Sequence, residues 1–398
     1  MSPQTTIDLE GLGFEQGAHI LIARALDAVP AGARLDVHGH DPLLRVHLAA
    51  WCRAQGHALV EGQGQGPAGT IVKGRATDER WVGSERAGAP SATGLVDRPG
   101  PTWGLAARGA LVEAGGRGPV FDLDHRDEVW ADVAPRLYAQ ACASQWDPAT
   151  AVDWDAPLEH PADVEAAVVQ VMTYLVENEQ AALVVPARFL GRVHPYFREV
   201  VQLLAVQVAD EARHIEVFTR RALLHGETLG VSSSGGRASL GTLLDEPDFS
   251  LATFLLSVLG EGTFLNLLSF LERNAPDPAT RAVSRLALAD EARHVSFGQA
   301  HLEHRVAIDP DFRAQLRAAV ERRHHALRDT SGLNEAVFDA LVVLAAGAWT
   351  PEAIALGYAR VQDLEADMAE GRRRRLVRLG FSIHEADELS ALHTRNFM

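Results

Sequence analysis

The sequence predicts a mainly α-helical protein, a four-helix bundle with further C-terminal helices, that carries a small α/β domain at its N-terminus. Two observations predict the bundle: four long helical stretches follow one another after residue 160, and the phrase ADEARH occurs twice, at 209–214 and 289–294. Each copy contains Glu-x-x-His, a spacing that puts both side chains on one helix face. Short alternating strands around two helical segments within residues 7–73 predict the α/β domain.

Composition divides the chain into three segments. Residues 1–75 make up the predicted α/β domain, and its GQGQG run at 62–66 is predicted to be a loop, because it lacks the glycine spacing and the following helix of a nucleotide-binding turn. Residues 76–126 are rich in Gly and Pro, which is typical of linkers and loops. Residues 127–398 contain the long helical stretches and make up the predicted helical domain. A division into domains is expected because a chain of 398 residues is too long for one small core.

Helices are predicted from apolar residues at helical spacing and from start and stop signals. The sequence NAPDP at 274–278 ends the third long helix. Thr350 and Pro351 open a later helix as N-cap and first helical residue, and Ser382 with Glu385 forms a capping-box pattern. The predicted helices run over 127–142, 161–193, 195–225, 249–272, 279–307, 311–328, 334–347 and 351–379, with a short one after Ser382.

Charge and cysteine content exclude several classes of protein. The formal net charge of −16 argues against nucleic acid as the main partner, which would need clustered Lys and Arg. Two cysteines are too few for a thiolate-ligated metal site, and no signal peptide is apparent. The longest apolar stretch, 251–271, is interrupted by Glu261 and Asn266, so no membrane span is expected. We therefore expect a cytoplasmic protein without nucleic-acid or membrane partners.

A dinuclear carboxylate site needs a lone Glu on each of two helices and Glu-x-x-His on each of two others. The second and fourth long helices supply Glu211 with His214 and Glu291 with His294. Glu261 is the one acid inside the apolar third helix, where an ionised carboxylate without a counter-charge would cost several kcal/mol. A cation is its natural partner.

The first long helix offers two candidates for the fourth carboxylate, Glu177 and Glu179. Glu179 lies four residues beyond Leu175 along the apolar stripe, whereas Glu177 shares a face with polar residues. Glu179 also stands 32 residues before the glutamate of its ADEARH copy, and Glu261 stands 30 before its own. We predict Glu179 as the ligand and keep Glu177 as the alternative.

The charges of such a site balance, because four glutamates offset two divalent cations and two neutral imidazoles complete the set. Oxygen and nitrogen ligands without thiolate favour iron or manganese. Asp210 and Asp290 each precede a ligand glutamate and are predicted to accept the second imidazole N–H, directly or across to the opposite helix. Arg213 and Arg293 either neutralise these aspartates or lie exposed.

These residues resemble the ferritin-like diiron-carboxylate superfamily over residues 160–307, and DEARH is similar to the phrase in bacterial multicomponent monooxygenases and acyl desaturases. The resemblance implies a four-helix bundle that binds two iron ions, with a Mn–Fe pair as a variant, and that activates dioxygen. It implies metal-ligand roles for Glu179, Glu211, His214, Glu261, Glu291 and His294.

Two positions separate this chain from branches of that superfamily. Phe218 stands where the ribonucleotide reductase small subunit has its radical tyrosine, and Ala287 stands where arylamine N-oxygenases have a third histidine. The chain is longer than storage ferritins and has too few cysteines for the iron site of rubrerythrins. The resemblance therefore favours an oxygenase or oxidase that hydroxylates, N-oxygenates or desaturates an organic substrate.

The substrate pocket is predicted one turn beyond the lone glutamates, at Leu183 and Leu265, with Thr263, Asn266 and Phe218 beside them. The substrate is expected to be a small molecule or to be carrier-bound. Because the sequence has no flavin, nicotinamide or iron–sulfur motif, electrons are expected from a separate ferredoxin or reductase. A homodimer is a further expectation.

The N-terminal segment resembles the TusA (SirA) sulfur-carrier family. The resemblance is carried by VPAG at 29–32, AspPro at 41–42 and WCRAQGH at 51–57. The family's working cysteine falls here on Phe14, which cannot form a persulfide. We therefore interpret this segment as a docking or structural domain.

Two alternative functions stay open on the sequence alone. The same ligands could serve a non-catalytic iron-binding or ferroxidase protein that uses the N-terminal domain for interaction. A sulfur-handling role would need a reactive Cys52, for which a small buried core residue is the competing interpretation. Elsewhere, His301 is expected to be partly exposed and the arginine run 372–375 to be a solvated helix end.

Overall fold

The computed structural model describes residues 5–62, 66–115, 118–328 and 335–393. Residues 63–65, the centre of the predicted GQGQG loop, lie outside these ranges. The chain forms two compact units. Unit 1 comprises Met1–Leu95 and Gly100–Pro119, and unit 2 comprises Val96–Pro99 and Val120–Met398.

Unit 1 contains a four-stranded sheet with strand order β1-β2-β4-β3. β1 (Thr5–Asp8) lies parallel to β2 (Arg34–His38). β4 (Gly69–Val72) pairs antiparallel with both β2 and β3 (Ala58–Glu61). The alternation predicted for this part of the chain therefore forms one mixed sheet. Its identity as a TusA-like domain stays a resemblance.

Two helices pack on this sheet, α1 (Ala18–Asp27) and α2 (Leu44–Gln55). Cys52 lies on the buried face of α2 at 1% exposure, and burial raises the pKa of its thiol to about 11. A thiol that stays protonated is a poor nucleophile, so Cys52 is a core residue. Phe14 is half-buried, and its ring packs against His47 and Trp51.

The segment predicted as linker and loops contains little regular structure. Its described residues form a short α-helix, α3 (Ala76–Arg80), a 3-10 turn at Ala92–Gly94, and two-residue strands β5 (Glu85–Arg86) and β6 (Leu111–Val112) that pair antiparallel. Arg80 and Glu113 form a bidentate ion pair across it, with both N···O distances at 3.0 Å. The part of the segment up to Pro119, apart from Val96–Pro99, belongs to unit 1, so the first compact unit continues well past residue 75.

Unit 2 is mainly helical, with a short 3-10 helix at Pro195–Phe197 besides the helices that follow. In order they are α4 (Arg126–Val129), α5 (Ala134–Ala143), α6 (Ala162–Leu190), α7 (Arg198–Ala222), α8 (Ser234–Leu244), α9 (Phe249–Thr253), a π-helix (Phe254–Glu261), α10 (Gly262–Asn274), α11 (Pro278–Ile308), α12 (Phe312–Leu327), α13 (Glu335–Ala346), α14 (Pro351–Arg378) and α15 (Ile383–His393).

The long predicted helices are confirmed to within a few residues at their ends. The predicted helix 127–142 is instead two helices, because the backbone turns extended at Trp130 between α4 and α5. The sequence analysis also missed α8, whose start in a Ser-Gly segment is typical of a loop. Ser233 caps this helix through a hydrogen bond from the Gly236 N–H at 2.8 Å.

The bundle consists of two helix pairs. α6 packs along α7, α10 with the preceding π-helix packs along α11, and α11 also contacts α7. Outside this core, α13 and α14 pack on each other and against α6 and α10 respectively. The C-terminal helices therefore cover the bundle along the two helices that carry its lone glutamates.

The predicted third helix changes its winding before Glu261. All eight residues of the π-helix are buried, and α11 approaches it closely at Gly298. A Cβ on Gly298 would lie 2.5 Å from the Ser257 Cβ, so only glycine fits there. Single π-turns inside α-helices are frequent at functional sites because they reposition one side chain relative to the rest of the helix.

Hydropathy alone does not separate this core helix from a membrane span. Among the described residues, Phe249–Asn274 is long and apolar enough to cross a bilayer, but 83% of the apolar window is buried inside the protein. The α13–α14 pair passes the same test only when its two helices, bent by 117°, are counted as one. Burial of this degree is typical of the core helix of a water-soluble protein.

A buried arginine ties three helices of the bundle together. Arg221 on α7 is fully buried and donates to both carboxylate oxygens of Glu165 on α6, at 2.7 and 2.8 Å. It also donates to Asp277, the N-cap of α11, at 2.7 Å, and to Thr280 at 2.7 Å. Each of the three guanidinium nitrogens therefore has a charged or hydroxyl partner.

We expect Arg221→Ala to lower the free energy of unfolding by about 3 to 5 kcal/mol, because it leaves the buried Asp277 carboxylate without its counter-charge. Chemical denaturation measures this. Arg285→Ala, at an exposed arginine of α11, is the matched control and should change stability by less than about 0.5 kcal/mol. Equal losses in the two variants would contradict the assignment.

Two expectations about exposure are wrong. His301 is fully buried, with Ser250 Oγ at 2.9 Å from its Nε2 and the Trp130 carbonyl accepting from Nδ1 at 3.0 Å. Arg372, expected in a solvated helix end, is 1% exposed. In both cases the covering residues come from distant parts of the chain, so local sequence does not reveal the burial.

Burial lowers the pKa of His301 to about 4, from an ordinary value of 6.5. Between pH 6.5 and 4 the unfolded chain binds a proton here that the folded protein does not, so stability falls as the pH is lowered. We expect a loss of about 3 kcal/mol from this residue over that window.

Denaturation curves recorded across this pH range should show a smaller loss of stability in His301→Gln than in the unmodified protein. His384→Gln, at a histidine whose side chain is 84% exposed, is the control and should keep the full loss. The comparison concerns the slope with pH and does not depend on the absolute stability of either variant.

Candidate metal centre

The four helices of the bundle bring six predicted ligands into one buried cluster. α6 contributes Glu179, α7 contributes Glu211 and His214, the last residue of the π-helix is Glu261, and α11 contributes Glu291 and His294. None is more than 3% exposed.

The six residues form two overlapping sets that share two carboxylates. Ligand atoms of Glu179, Glu211, His214 and Glu291 lie within 4.8 Å of one another, and so do those of Glu211, Glu261, Glu291 and His294. The two oxygens of Glu211 lie 3.1 Å and 3.0 Å from Nδ1 of His214 and His294 respectively. The oxygens of Glu291 lie 3.3 and 3.4 Å from the same two nitrogens. Glu211 and Glu291 can therefore each contact two ions, and Glu179 and Glu261 one each.

Several buried ligand atoms of the cluster have no hydrogen-bond partner, as expected for atoms that bind cations. One oxygen of each glutamate and the Nδ1 of His294 are buried without a hydrogen-bond partner. Buried carboxylate oxygens without donors are strongly unfavourable, and a metal ion satisfies several at once. The cluster is therefore suited to two divalent metal ions, whose charge would offset four carboxylates.

The pKa shifts of the clustered residues indicate that metal ions would take the place of bound protons. Burial raises the pKa of Glu179 and Glu261 well above the usual range, and the carboxylates of Glu211 and Glu291 raise it further. Burial opposes charge on His214 as well, but Glu179 and its other carboxylate neighbours raise the imidazole pKa well above its usual value. Protons and cations thus compete for these groups, and metal binding should weaken as the pH falls.

Each imidazole contacts an aspartate from the opposite helix. His214 Nε2 lies 3.3 Å from Asp290, and His294 Nε2 lies 3.2 Å from Asp210. These contacts leave Nδ1 of both rings facing the glutamates. The aspartates therefore orient the rings and favour the tautomer in which Nδ1 can bind a metal.

Two arginines neutralise these aspartates. Arg213 hydrogen-bonds Asp210 and lies 3.5 Å from Asp290, and Arg293 hydrogen-bonds Asp290 and lies 3.3 Å from Asp210. Both side chains are mostly buried. Of the two alternatives for these arginines, the structure places them on the aspartates. The outer ring of two Asp and two Arg carries no net charge, so it does not compensate the four glutamates.

Four residues of the site were missed by the sequence analysis. The indole of Trp146 donates to Asp290 at 2.8 Å, and Gln145 donates to Asp210 at 3.4 Å. Gln207 donates to Glu261 at 3.1 Å, and Ser257 also hydrogen-bonds Glu261. Gln207 and Ser257 each stand four positions before a ligand glutamate, a helical spacing that could have identified them. The Gln-Trp pair lies in a loop with no such signal.

The alternative ligand Glu177 lies elsewhere. It belongs to neither set, is half-buried, and lines a cavity of about 150 Å³ with Gln170, Tyr174 and Glu335. Two positions along a helix turn the side chain by about 200°, so Glu177 and Glu179 leave α6 on nearly opposite sides.

The residues predicted to line the substrate pocket differ in burial. Phe218 is buried with its ring 6.2 Å from that of His214. Thr263 is buried too, but its hydroxyl accepts a hydrogen bond from Arg372 on α14. Leu183, Leu265 and Asn266 are only half-buried. Leu183 and Leu265 each stand four positions after a lone glutamate, so each shares that glutamate's helix face but lies one turn further along.

The arrangement defines a buried dinuclear site of carboxylates and histidines in a helical bundle. No family model and no curated protein matches the chain. Among solved structures, a Tyr-to-Phe variant of an R2-like ligand-binding oxidase with an aerobically reconstituted Mn/Fe cofactor is 17% identical, with a TM-score of 0.44 over 66% of this chain and 92% of that one.

An R2-like ligand-binding oxidase from Sulfolobus acidocaldarius is 15% identical, with a TM-score of 0.40 over 60% of this chain and 91% of that one. A likeness of this degree says nothing about which reaction this chain performs. The chemistry follows from its own site residues.

Metal content tests the ligand set directly. Protein reconstituted with Fe(II) should hold two ions per chain, and Glu211→Ala or Glu291→Ala should hold fewer than one, because each removes a carboxylate shared by both sets. Glu179→Ala should lose the ion of one set.

Elemental analysis after gel filtration gives the ratio of metal to protein. Glu177→Ala is the matched control, two residues from Glu179 on the same helix, and should keep both ions. Retention of two ions by Glu211→Ala, or loss of them by Glu177→Ala, would contradict this site.

Proposed function

We propose that this protein is a dimetal-carboxylate oxidase or oxygenase that uses dioxygen to oxidise an organic substrate, with an Fe–Fe or Mn–Fe pair. The observation that carries the proposal is the sharing of Glu211 and Glu291 between two ligand sets inside a fully buried core. Two ions held by common carboxylates can act together on one small molecule. The resemblance of the DEARH segments to diiron oxygenases supports the same class.

The ligand chemistry supports a redox-active pair over a structural metal. Six oxygen and nitrogen donors without thiolate suit iron and manganese. When bound, such a pair supplies the electrons that reduce dioxygen, which no amino-acid side chain in the site can provide. The terminal ligands Glu179 and Glu261 each keep one oxygen free of protein partners, so the site has capacity to rearrange.

The residues of the chain have distinct roles in this proposal. Asp210 and Asp290 hold the imidazoles in one tautomer, and Gln207 with Ser257 orients Glu261. Burial of the cluster excludes bulk water and protects reactive species from side reactions. The Phe218 ring packs beside His214 as an apolar contact, and because it has no hydroxyl it cannot form a tyrosyl radical.

The proposal includes a separate electron donor, a ferredoxin or a reductase. Two cysteines, Cys52 and Cys142, are too few to hold an iron–sulfur cluster, which needs four ligands. Trp146 is half-buried and joins the partly accessible surface to His214 through Asp290, which is a route by which electrons could enter. The substrate, whether free or carrier-bound, and a homodimeric assembly remain part of this proposal.

Stepwise addition of iron separates an oxidase from an iron-storage or ferroxidase protein. After anaerobic loading, exposure to oxygen should cause one limited phase of oxygen uptake, because the bound pair can supply only its own electrons. Uptake should resume when a chemical reductant is added, and bound iron should stay at two ions per chain.

An oxygen electrode and elemental analysis measure both quantities. Glu177→Ala should behave as the unmodified protein, and Glu211→Ala should take up little oxygen. Continued oxygen uptake with each addition of Fe(II), with iron accumulating well beyond two ions per chain, would contradict the oxidase proposal and indicate a ferroxidase.

A further inference from the structure

Unit 2 contains a second buried group of charged residues, on the side of α10 that faces the C-terminal helices. We call it the guanidinium cluster. Arg323 (α12) is 6% exposed, Arg372 (α14) is 1% exposed, and His393 (α15) is 7% exposed. Arg375, one turn after Arg372, is also mostly buried. Burial lowers the pKa of His393 well below its usual value, and the positive charges of the three arginines lower it further.

Arg372 and Arg375 hydrogen-bond only uncharged oxygens. Arg372 donates to the hydroxyls of Thr263 at 3.2 Å and Ser390 at 3.4 Å. Arg375 donates to the Val258 carbonyl in the π-helix at 2.6 Å. Among the residues that the structure describes, no carboxylate forms an ion pair with either guanidinium, and Glu365, the acid that acts on Arg372 electrostatically, is half-exposed.

Arg373 and Arg374, which lie between Arg372 and Arg375 on α14, show how other arginines of the same helix are neutralised. Arg373 and Arg374 both pair with Glu370, and the Arg374 side chain is 74% exposed. The run of four arginines thus has two members with a carboxylate partner and two buried members without one. Arg372 and Arg375 lack the carboxylate partner that Arg373 and Arg374 have, so a bound anion would supply their counter-charge.

Unused donors mark where that anion would lie. Arg375 Nη2 is buried and has no hydrogen-bond partner, and neither has His393 Nε2. Arg323 donates to His393 Nδ1 at 3.3 Å, so the neutral ring carries its proton on Nε2, as a donor. Two buried donors without acceptors, together with the Arg372 and Arg375 guanidiniums, which have no carboxylate partner among the described residues, match an oxyanion with several lone pairs.

We propose that the guanidinium cluster binds the oxyanion of a small organic ligand, a carboxylate or a phosphate. Burial lowers the pKa of Arg372 and Arg375 only to about 10, so both are charged at neutral pH. A guanidinium fork matches the two oxygens of a carboxylate or phosphate, and burial strengthens the attraction.

The position of the cluster separates it from the metal ligands. Thr263, which contacts Arg372, is two residues beyond the metal ligand Glu261 on the same helix. Because i and i+2 side chains leave a helix on nearly opposite sides, the anion is not the reacting group. The anion therefore binds on the side of α10 that faces away from the metal ligands.

Equilibrium binding tests the anion site without any oxygen chemistry. Octanoate, benzoate and inorganic phosphate are titrated into the metal-loaded full chain under argon, followed by calorimetry and by the thermal unfolding midpoint. At least one of them should bind at least tenfold more tightly than the uncharged octanamide and benzamide. Phosphate binding alone would assign the site to phosphate, and binding of octanoate or benzoate to carboxylates.

Variants in the arginine run give the matched comparison. Arg372→Met and Arg375→Met should each weaken the bound anion tenfold or more, and Arg374→Met should not change it. Should either methionine variant fail to fold, Arg375→Lys keeps the charge without the planar fork and should still weaken binding. His393→Gln should weaken it to a smaller extent.

Three results would overturn the proposal: no probe binds, the amides bind as well as the acids, or Arg374→Met loses as much affinity as Arg375→Met. The outcome is independent of the oxidase assignment. If anions bind as expected but the protein takes up no oxygen, the anion site stands and the proposed function fails. If oxygen uptake is observed and no anion binds, the reverse holds.

Discussion

The structure of unit 2 depends on one electrostatic constraint, the burial of four carboxylates in the core of a helical bundle. Within the described ranges no lysine or arginine pairs with these four glutamates, and the nearby Arg213 and Arg293 are already balanced by Asp210 and Asp290. Two imidazoles cannot offset four negative charges. The bundle is therefore stable in its described form only with protons or metal ions in the cluster, and this demand links folding, metal binding and reactivity.

The two halves of the site are similar but not equivalent. Each half has Glu-x-x-His on one helix, a lone glutamate on the other, and an Asp–Arg pair outside. The two halves differ in the residues around these groups. Trp146 contacts Asp290, whereas Gln145 contacts Asp210. Of the two lone glutamates, only Glu261 belongs to a π-helix and is held by Gln207 and Ser257. Two metal positions with unlike surroundings can differ in affinity and in redox properties.

The C-terminal helices extend this organisation with charge of the opposite sign. α14 places Arg372 and Arg375 against the outer side of the π-helix and α10, and Gly262 leaves the space that the Arg375 guanidinium occupies, since a Cβ there would lie 2.5 Å from it. Negative groups thus lie inside the bundle and positive groups behind it. Unit 1 contributes a closed apolar core with an inert thiol, consistent with a structural or docking role.

Sequence by itself determined the helical class, the ends of the long helices to within a few residues, and the six clustered side chains, because helical periodicity and a repeated spacing report which residues share a face. It also favoured Glu179 over Glu177, since the apolar stripe of α6 carries the former. Local patterns could not show the π-helix, the contacts of Trp146, or the burial of His301, Arg372 and Arg375. Those depend on which distant segments cover a given face, and only the tertiary packing of α9, α14 and the loop before α6 decided them.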